Sequence, residues 1–336
     1  MVWFDNSRIF AIYTVVLLHV AAVVIRGYDL GSSFWWAGNI YDSAVRWCVP
    51  VFVMISGALL LDPKKEESLT VFYKKRVSRI LIPVLFWSVI FLFWRVYQAS
   101  LNSEEISLYE LLSFFLDGKP YYHMWFMFMI LSLYIFTPFF RKIVANSTKK
   151  EILFLVVISF IMASINFGFG ERSAGGSEFF INWFLLYIPY FFLGYLIRHD
   201  KNEYSTFMLW VVFVVSFLLT LFGCYFVALN YNLDEGLYFY GYLSITVIPM
   251  SISVMYLFKK WNTPIVNTGI TKKMAALTLG VYLIHPLFLE TINNMNLGAM
   301  SFNPYASIFL VSTTVFLISL FSAWLILKIP FLRRVI

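Results

Sequence analysis

Long, continuously apolar stretches recur along the whole chain, and each could cross a lipid bilayer as a single helix. A helix needs about 17–25 such residues to span the hydrocarbon core. The stretches lack the alternating pattern of barrel strands, so their backbone groups must be hydrogen-bonded within helices. We therefore predict an all-α integral membrane protein, a bundle of about ten transmembrane helices. The predicted spans are 8–26, 43–61, 80–99, 123–140, 152–168, 181–197, 205–228, 238–258, 274–293 and 305–327.

The composition supports the same fold class. Hydrophobic residues make up 61% of the chain and charged residues 13%, which is more apolar surface than a soluble fold of this length can bury. No linker, low-complexity tract or soluble domain interrupts the spans, so we predict a single transmembrane domain over 1–336. The first span lacks a small-residue cleavage site, and we expect it to be retained rather than removed as a signal peptide.

Basic residues alternate with acidic ones between successive spans. Lys and Arg are concentrated in the segments 62–79, 141–151, 198–204 and 259–273 and in the C-terminal tail. The intervening loops carry acidic residues instead, including Glu104, Glu105 and Asp234. Because basic loops remain in the cytoplasm, we predict cytoplasmic N- and C-termini. The net charge of +7 then reflects membrane topology and does not indicate nucleic-acid binding.

The first span carries an ionisable residue, His19, near its middle, and Arg8 stands eleven residues before it. At 100° per residue the two side chains share one helical face, about 16 Å apart along the axis. A charged residue inside a span costs about 2.5–3.5 kcal/mol on insertion scales, so it is a functional-site candidate by default. Other ionisable residues are predicted at the same outer depth as His19 and indicate a polar pocket open to the outside: Arg46, Arg95, His123, His285 and Glu290.

A basic cluster opens the third span on the cytoplasmic side. It contains Lys74, Lys75, Arg76 and Arg79, and helical spacing places the two arginines on one face. Such a cluster suits the phosphates of a cofactor through charge-assisted contacts; anionic lipid headgroups and simple positive-inside anchoring are the alternatives. The two cysteines are interpreted as buried apolar residues, and no metal site is expected.

Several motifs occur in an order that resembles a known family. They are Asp5, Asn6, Arg8, Ala11 and His19 in the first span; Arg46 and 49–57 in the second; Lys75, Arg76, Arg79, Ile80 and Pro83 before and within the third; His123, Trp125, Phe126, Tyr134, Thr137 and Pro138 in the fourth; and Tyr190, Phe191, Gly194, Tyr195, Gly280, Tyr282, His285 and Pro286 in the sixth and ninth. The chain resembles the membrane acyltransferase 3 family of acyl-CoA-dependent O-acyltransferases. It is most similar to the bacterial subgroup that includes the enterobacterial common antigen O-acetyltransferase.

This resemblance implies a reaction and a role for each candidate residue. Acyl-CoA, most often acetyl-CoA, would bind from the cytoplasm with its phosphates near Arg76, Arg79 and Lys75. Its acyl group would meet a glycan hydroxyl near His19, the predicted general base; transient acylation of His19 is the alternative. Arg8, counted with His19 and Arg46 among the predicted catalytic residues, would orient the cofactor or pair with a carboxylate on the His19 face; its alternative is a cytoplasmic anchor at the helix start.

Four further side chains have two interpretations each. Arg46 is predicted to polarise the thioester carbonyl or to hold an acceptor oxygen; its alternative is an ion pair with Asp42 or Glu290. His285, His123 and Glu290 are predicted to contact the substrate. A histidine that donates to a carbonyl freed by Pro286 would look the same as a substrate-binding His285, and His123 could be an interfacial cap. Trp125 and Trp183 are interpreted as anchors at the membrane interface.

The predicted partners are a glycan or lipid-linked sugar acceptor, acyl-CoA and the lipid bilayer, with no nucleic acid. The predicted location is the bacterial cytoplasmic membrane, which the chain crosses several times. A secondary transporter or flippase is the alternative, because buried His and Arg residues also serve proton relays. The sequence gives it less support, since no internal repeat relates the two halves.

Overall fold

The computed structural model describes residues 1–64, 67–170 and 183–336, and within these ranges the regular structure is entirely helical. A π-helical turn, Val77–Leu81, joins the fourth and fifth helices. The helices are α1 (Val2–Gly27), α2 (Ser33–Val45), α3 (Cys48–Leu60), α4 (Leu69–Arg76), α5 (Ile82–Leu101), α6 (Leu108–Leu116), α7 (Trp125–Asn146), α8 (Lys149–Gly170), α9 (Trp183–His199), α10 (Thr206–Asn230), α11 (Leu233–Gly236), α12 (Val247–Lys260), α13 (Thr268–Asn294) and α14 (Pro304–Lys328).

Within the described ranges, eight segments are long and apolar enough to cross a membrane. They are Val2–Gly27, Ser33–Leu60, Leu69–Leu101, Trp125–Asn146, Lys149–Gly168, Thr206–Asn230, Thr268–Ser301 and Pro304–Lys328. The all-helical, multi-pass prediction is thus confirmed for the described residues. The predicted spans 181–197 and 238–258 correspond to the shorter helices α9 and α12; residues 181 and 182 lie outside the described ranges. The count of ten spans and the orientation of the termini stay predictions.

The second predicted span, 43–61, is not one continuous helix. α2 ends at Val45 and α3 begins at Cys48, which leaves Arg46 at the junction. Pro50 gives the physical reason, because it has no N–H to donate to the carbonyl four residues earlier, which is that of Arg46. The interruption places a long cationic side chain at a break between two helices inside the bundle.

Helix α1 lies at the centre of the bundle. It contacts α2, α3, α12, α13 and α14, and buried residues lie along its whole length. By contrast, α8, α10 and α14 expose large apolar side chains such as Phe154, Phe207 and Leu310, as a lipid-facing surface requires. Several polar residues of α1, including Asn6, Ser7 and Thr14, are buried within the bundle, whereas Arg26 in its last turn is exposed. The interior of a bundle is where functional groups in membrane proteins are normally found.

Helices α3 and α9 approach each other so closely that their contact requires glycine on both sides. A Cβ atom added to Gly57 would lie 1.7 Å from the carbonyl oxygen of Phe191. One added to Gly194 would lie 1.9 Å from the carbonyl oxygen of Met54. Small residues at helix interfaces allow this close backbone approach in membrane proteins. The contact fixes α3, whose first residues follow Arg46.

Replacing Gly194 with alanine is expected to destabilise the protein. The added methyl group meets backbone atoms, which cannot move aside as a flexible side chain could, so we expect the melting temperature in detergent to fall by about 3–10 °C. Gly168→Ala is the matched control, since its Cβ would come no closer than 4.0 Å to Tyr238 and should leave the melting temperature unchanged or slightly raised. Equal losses in both variants would contradict the close α3–α9 contact.

Candidate active site

Three histidines from distant parts of the sequence come together in the bundle. His19 lies on α1, His123 lies just before α7, and His285 lies on α13. The rings of His19 and His285 are nearly parallel, with centroids 5.3 Å apart. The rings of His123 and His285 are 5.6 Å apart and meet edge to face. We refer to these three residues as the histidine cluster.

His285 has one ring nitrogen engaged, and the other has no hydrogen-bond partner within the described part of the chain. Pro286 cannot donate to the carbonyl of Tyr282, and the Nδ1 atom of His285 lies 2.8 Å from that oxygen. Because a carbonyl oxygen only accepts hydrogen bonds, Nδ1 must carry the hydrogen. In the neutral ring, Nε2 then has an available lone pair, and it is buried without a partner. His285 therefore repairs the helix at Pro286 and still presents a basic nitrogen to the cluster.

His123 is buried, and neither of its ring nitrogens has a hydrogen-bond partner in the ranges 1–64, 67–170 and 183–336. The hydroxyl of Tyr282 donates to the backbone carbonyl of His123, so the segment is held from α13 while the imidazole is left unengaged. A buried polar group without a partner costs about 1–3 kcal/mol. Such groups are rare in a packed core and call for a functional explanation.

His19 is the least buried member of the cluster, and a residue that sequence reasoning did not single out lies against it. The ring of Tyr122 packs edge-on against the His19 ring, with centroids 5.0 Å apart. The one sequence signal for Tyr122 is its place in a run of three polar rings, 121–123, just before an apolar span. Its hydroxyl adds a second potential proton donor or acceptor to this site.

Glu290 joins three segments around the cluster. Its carboxylate accepts hydrogen bonds from the indole nitrogen of Trp94 at 2.6 Å, from the amide of Gln98 at 3.0 Å, and from the hydroxyl of Tyr121. Helix α5 and the segment before α7 are thereby tied to α13. With three donors already bound, the Glu290 carboxylate is arranged to position Tyr121 and its neighbour Tyr122.

Arg46 pairs with Asp42 at the junction of α2 and α3. The guanidinium donates to the Asp42 carboxylate at 2.5 Å and to the carbonyl of Tyr240 at 3.2 Å, and it lies 4.2 Å from the centroid of the Tyr240 ring. Of the two ion-pair partners considered from sequence, the structure therefore has Asp42. The Nε atom of Arg46 and the Oδ1 atom of Asp42 are buried and have no hydrogen-bond partner among the residues that the structure describes.

Two cavities are lined by residues of α1 that precede and follow His19 in the sequence. The first, the Arg8 cavity, has a volume of about 180 Å³ and is lined by Arg8, Phe126 and Tyr282 among others. The second, the Arg46 cavity, has a volume of about 350 Å³ and includes Ala22, Asp42 and Arg46. Along α1 the order is Arg8, then His19, then Ala22. His19 thus stands between a residue of one cavity and a residue of the other on a single helix.

The basic cluster next to the Arg8 cavity is already partly neutralised. Glu67 accepts from Lys75 at 2.8 Å and from Arg141 at 3.3 Å. The hydrogen bond from Lys75 is the main reason why the pKa of Glu67 lies below its ordinary value, so this carboxylate stays ionised near neutral pH. Lys75 is therefore less available to a phosphate than the sequence alone indicates.

Arg76 is held differently. Its guanidinium lies 4.8 Å from the Phe72 ring and 5.7 Å from the Tyr134 ring, and its Nε atom is buried without a partner. Tyr134 lines the Arg8 cavity, so one aromatic ring separates Arg76 from that cavity. Arg79 lies in the π-helical turn Val77–Leu81 and is exposed. Because a π turn is wider than an α turn, the α-helical spacing assumed for the two arginines does not apply.

Among the described residues, no group of three or more His, Cys, Asp or Glu side chains is arranged to hold a metal ion. Cys48 and Cys224 are buried thiols and are not bonded to each other. The side chains that come together at the site supply imidazole, phenol, guanidinium and carboxylate groups. Such groups can remove a proton, donate hydrogen bonds and stabilise a developing negative charge.

Comparison with known proteins places the chain in a family. A family model described as an acyltransferase domain, that of the acyltransferase 3 family, matches residues 1–328. No curated protein and no solved structure matches the chain. The matched range contains the histidine cluster, both cavities and the basic cluster.

Proposed function

Since the chain belongs to the acyltransferase 3 family, we propose that this membrane acyltransferase moves an acyl group, most often acetyl, from cytoplasmic acyl-CoA to a glycan hydroxyl. The acceptor is a cell-envelope glycan or a lipid-linked sugar. The proposed location is the bacterial cytoplasmic membrane. Within the family, we propose the subgroup that includes the enterobacterial common antigen O-acetyltransferase.

One observation carries this proposal: on α1, His19 lies between Arg8, which lines one cavity, and Ala22, which lines the other. An acyl transferase that uses a soluble donor and an envelope acceptor needs two substrate spaces that meet at a base. Arg8 in one cavity and Ala22 in the other lie on the same helix as His19. At a rise of 1.5 Å per residue, His19 is separated along the helix axis by about 16 Å from Arg8 and by about 5 Å from Ala22.

The proposed chemistry begins with His19 as general base. A hydroxyl is a weak nucleophile at neutral pH, so His19 removes its proton as the oxygen attacks the thioester carbonyl carbon. The new C–O bond forms, the C–S bond breaks, and the proton held by His19 passes to the departing CoA sulfur. The products are an O-acyl glycan and CoA. In the two-step alternative, the acyl group first bonds to His19 and the hydroxyl then displaces it.

The other predicted residues serve the two substrates. Arg76, Arg79 and Lys75 bind the CoA phosphates, with Arg76 as the principal contact because Glu67 already pairs with Lys75. Arg8 orients the pantetheine arm within the Arg8 cavity.

On the acceptor side, Arg46 stabilises the negative charge that develops on the thioester oxygen or holds the acceptor. His285 and His123 hydrogen-bond the acceptor through nitrogens that have no partner in the protein. Glu290 positions the aromatic segment beside them.

The direct test is acyl transfer by the purified protein. The protein in detergent is incubated with radiolabelled acetyl-CoA and with envelope glycans extracted from cells that lack this gene. We expect label in the glycan fraction, in a form that mild alkali releases, as expected of an O-ester. A transporter that moves glycans or protons without transferring an acyl group would leave the glycan unlabelled. That result would favour the transporter hypothesis, to which the family match gives no support.

A further inference from the structure

A third cavity adjoins the Arg46 cavity. This Lys119 cavity has a volume of about 300 Å³ and is lined by Lys119, Trp183 and Tyr187 among others. The two cavities adjoin along four residues that line both, and we refer to the pair as the groove: Trp125, Phe167, Gly241 and Tyr242. Each volume falls within the range of small-molecule sites, about 300–1,000 Å³.

The Arg46 half of the groove has the polar groups that a sugar ring needs. The unpartnered Oδ1 of Asp42 can accept a hydrogen bond from one hydroxyl, and the unpartnered Nε of Arg46 can donate to the oxygen of another. Both residues line the cavity and both atoms are buried, so a ligand that satisfies them removes a desolvation cost. Tyr240 supplies an aromatic wall.

The Lys119 half has a different character. Trp125 and Tyr242, which both halves share, have stacked rings with centroids 5.9 Å apart. The Lys119 ammonium lies 5.0 Å from the centroid of the Trp183 ring, and Tyr187 packs against Trp125. Aromatic faces carry partial negative charge and attract the weakly positive C–H groups on the flat side of a sugar. This half therefore suits ring stacking, with few hydrogen bonds.

The groove also lies close to the reactive centre. Ala22 is one helical turn beyond His19 on α1, and Trp125 follows His123 by two residues. Arg46 is near enough to His19 to interact with it electrostatically. A ring bound by Asp42 and Arg46 would therefore lie next to the histidine cluster, and a ring on Trp183 would lie farther along the groove.

We propose that the Arg46 and Lys119 cavities form an acceptor groove for two consecutive sugar rings, an inference that rests on the proposed function. The ring that receives the acyl group binds Asp42 and Arg46, and the next ring stacks in the Lys119 cavity. The protein therefore selects a glycan chain over a single sugar. The indole rings of Trp125 and Trp183, interpreted from sequence as interface anchors, determine this specificity.

The test uses envelope glycans from cells lacking this gene, partially hydrolysed and separated by size into one-ring fragments and fragments of two or more rings. Transfer from radiolabelled acetyl-CoA is measured against fragment concentration. We expect the wild-type protein to acetylate the longer fragments about tenfold more efficiently. Asp42→Asn should raise the half-saturating concentration of every fragment about tenfold. Trp183→Leu, and Lys119→Gln as the smaller change, should raise the half-saturating concentration of only the longer fragments.

Matched controls separate these effects from general loss of structure. Glu105→Gln removes an exposed carboxylate outside the groove, and Trp324→Leu removes an exposed indole from α14. Neither change should alter how the transfer rate depends on the concentration of the acceptor fragments. The half-saturating concentration of acetyl-CoA should stay constant in all variants. The acceptor-groove proposal would be wrong if the wild type used one-ring and longer fragments equally well. It would also be wrong if Trp183→Leu and Lys119→Gln left the half-saturating concentration of the longer fragments unchanged. Absence of any transfer by the wild type would instead reject the proposed function.

Discussion

Replacing His19 with alanine is expected to slow acyl transfer by about 10²–10⁴-fold, the usual contribution of a general base, while acetyl-CoA still binds. His19 is separated from Arg8, at the donor side, by about 16 Å along α1, so loss of the imidazole should not disturb the CoA contacts. The ring is only partly buried, and its removal should have little effect on folding. Turnover is measured at saturating acetyl-CoA, and donor affinity is measured separately by calorimetry.

His199→Ala is the matched control for this variant. His199 is the remaining histidine of the four, it ends α9 away from the cluster, and its Nδ1 contacts the carbonyl of Tyr195 at 2.9 Å. Its replacement should leave turnover near the wild-type value. Full turnover in His19→Ala would assign the base to another group. Parallel loss of acetyl-CoA affinity would instead make His19 part of the donor site.

The direct and two-step routes can be separated with acetyl-CoA alone. In the two-step route, protein mixed rapidly with labelled donor and quenched would carry a labelled histidine, and that label would disappear in His19→Ala. In the direct route the protein would remain unlabelled until the acceptor is added. The same variant thus tests both the identity of the base and the order in which the acyl bonds form and break.

The sequence predicts most reliably those features that depend on local helix geometry. Arg8 and His19 lie on one helix, α1, as their apolar surroundings and eleven-residue spacing predict. The all-helical fold follows from long apolar stretches, because a lipid-exposed backbone has no other partner for its hydrogen bonds. One predicted span, 43–61, fails at a proline, because it breaks at Arg46, four residues before Pro50. Pro138, Pro189 and Pro286 by contrast lie inside the continuous helices α7, α9 and α13.

Features that depend on packing between distant segments could not be predicted in the same way. The order of the predicted spans places His19, His123 and His285 at one depth in the membrane. Only the fold shows that the ring centroids of His19 and His123 lie within 6 Å of that of His285. No periodic pattern in the sequence predicts the contact of Tyr122 with His19. Trp125 looks like an interface anchor because it begins an apolar span, yet its ring lines the cavity beside Arg46. Spacing alone cannot distinguish these environments.

Replacing both Arg76 and Arg79 with alanine is expected to weaken acetyl-CoA binding by about 10²–10⁴-fold. A hydrogen bond to a charged group contributes about 1.5–3 kcal/mol, and each 1.4 kcal/mol corresponds to about a tenfold change in affinity. Arg76 should account for most of the loss, because its Nε is unpartnered and its guanidinium lies beside Tyr134 of the Arg8 cavity. Binding is measured by calorimetry in detergent, where lipid headgroups do not compete.

Two comparisons distinguish phosphate binding from general attraction between the cationic protein and an anion. Arg333→Ala with Arg334→Ala removes the same charge from exposed positions near the C-terminus and should leave the dissociation constant unchanged. Lysine at positions 76 and 79 keeps the charge but loses the planar, two-pronged contact of guanidinium with phosphate, so affinity should fall partway. If lysine restored full affinity, or if the C-terminal pair mattered equally, the basic cluster would be a membrane anchor, because an anchor responds to charge and not to the geometry of its hydrogen bonds.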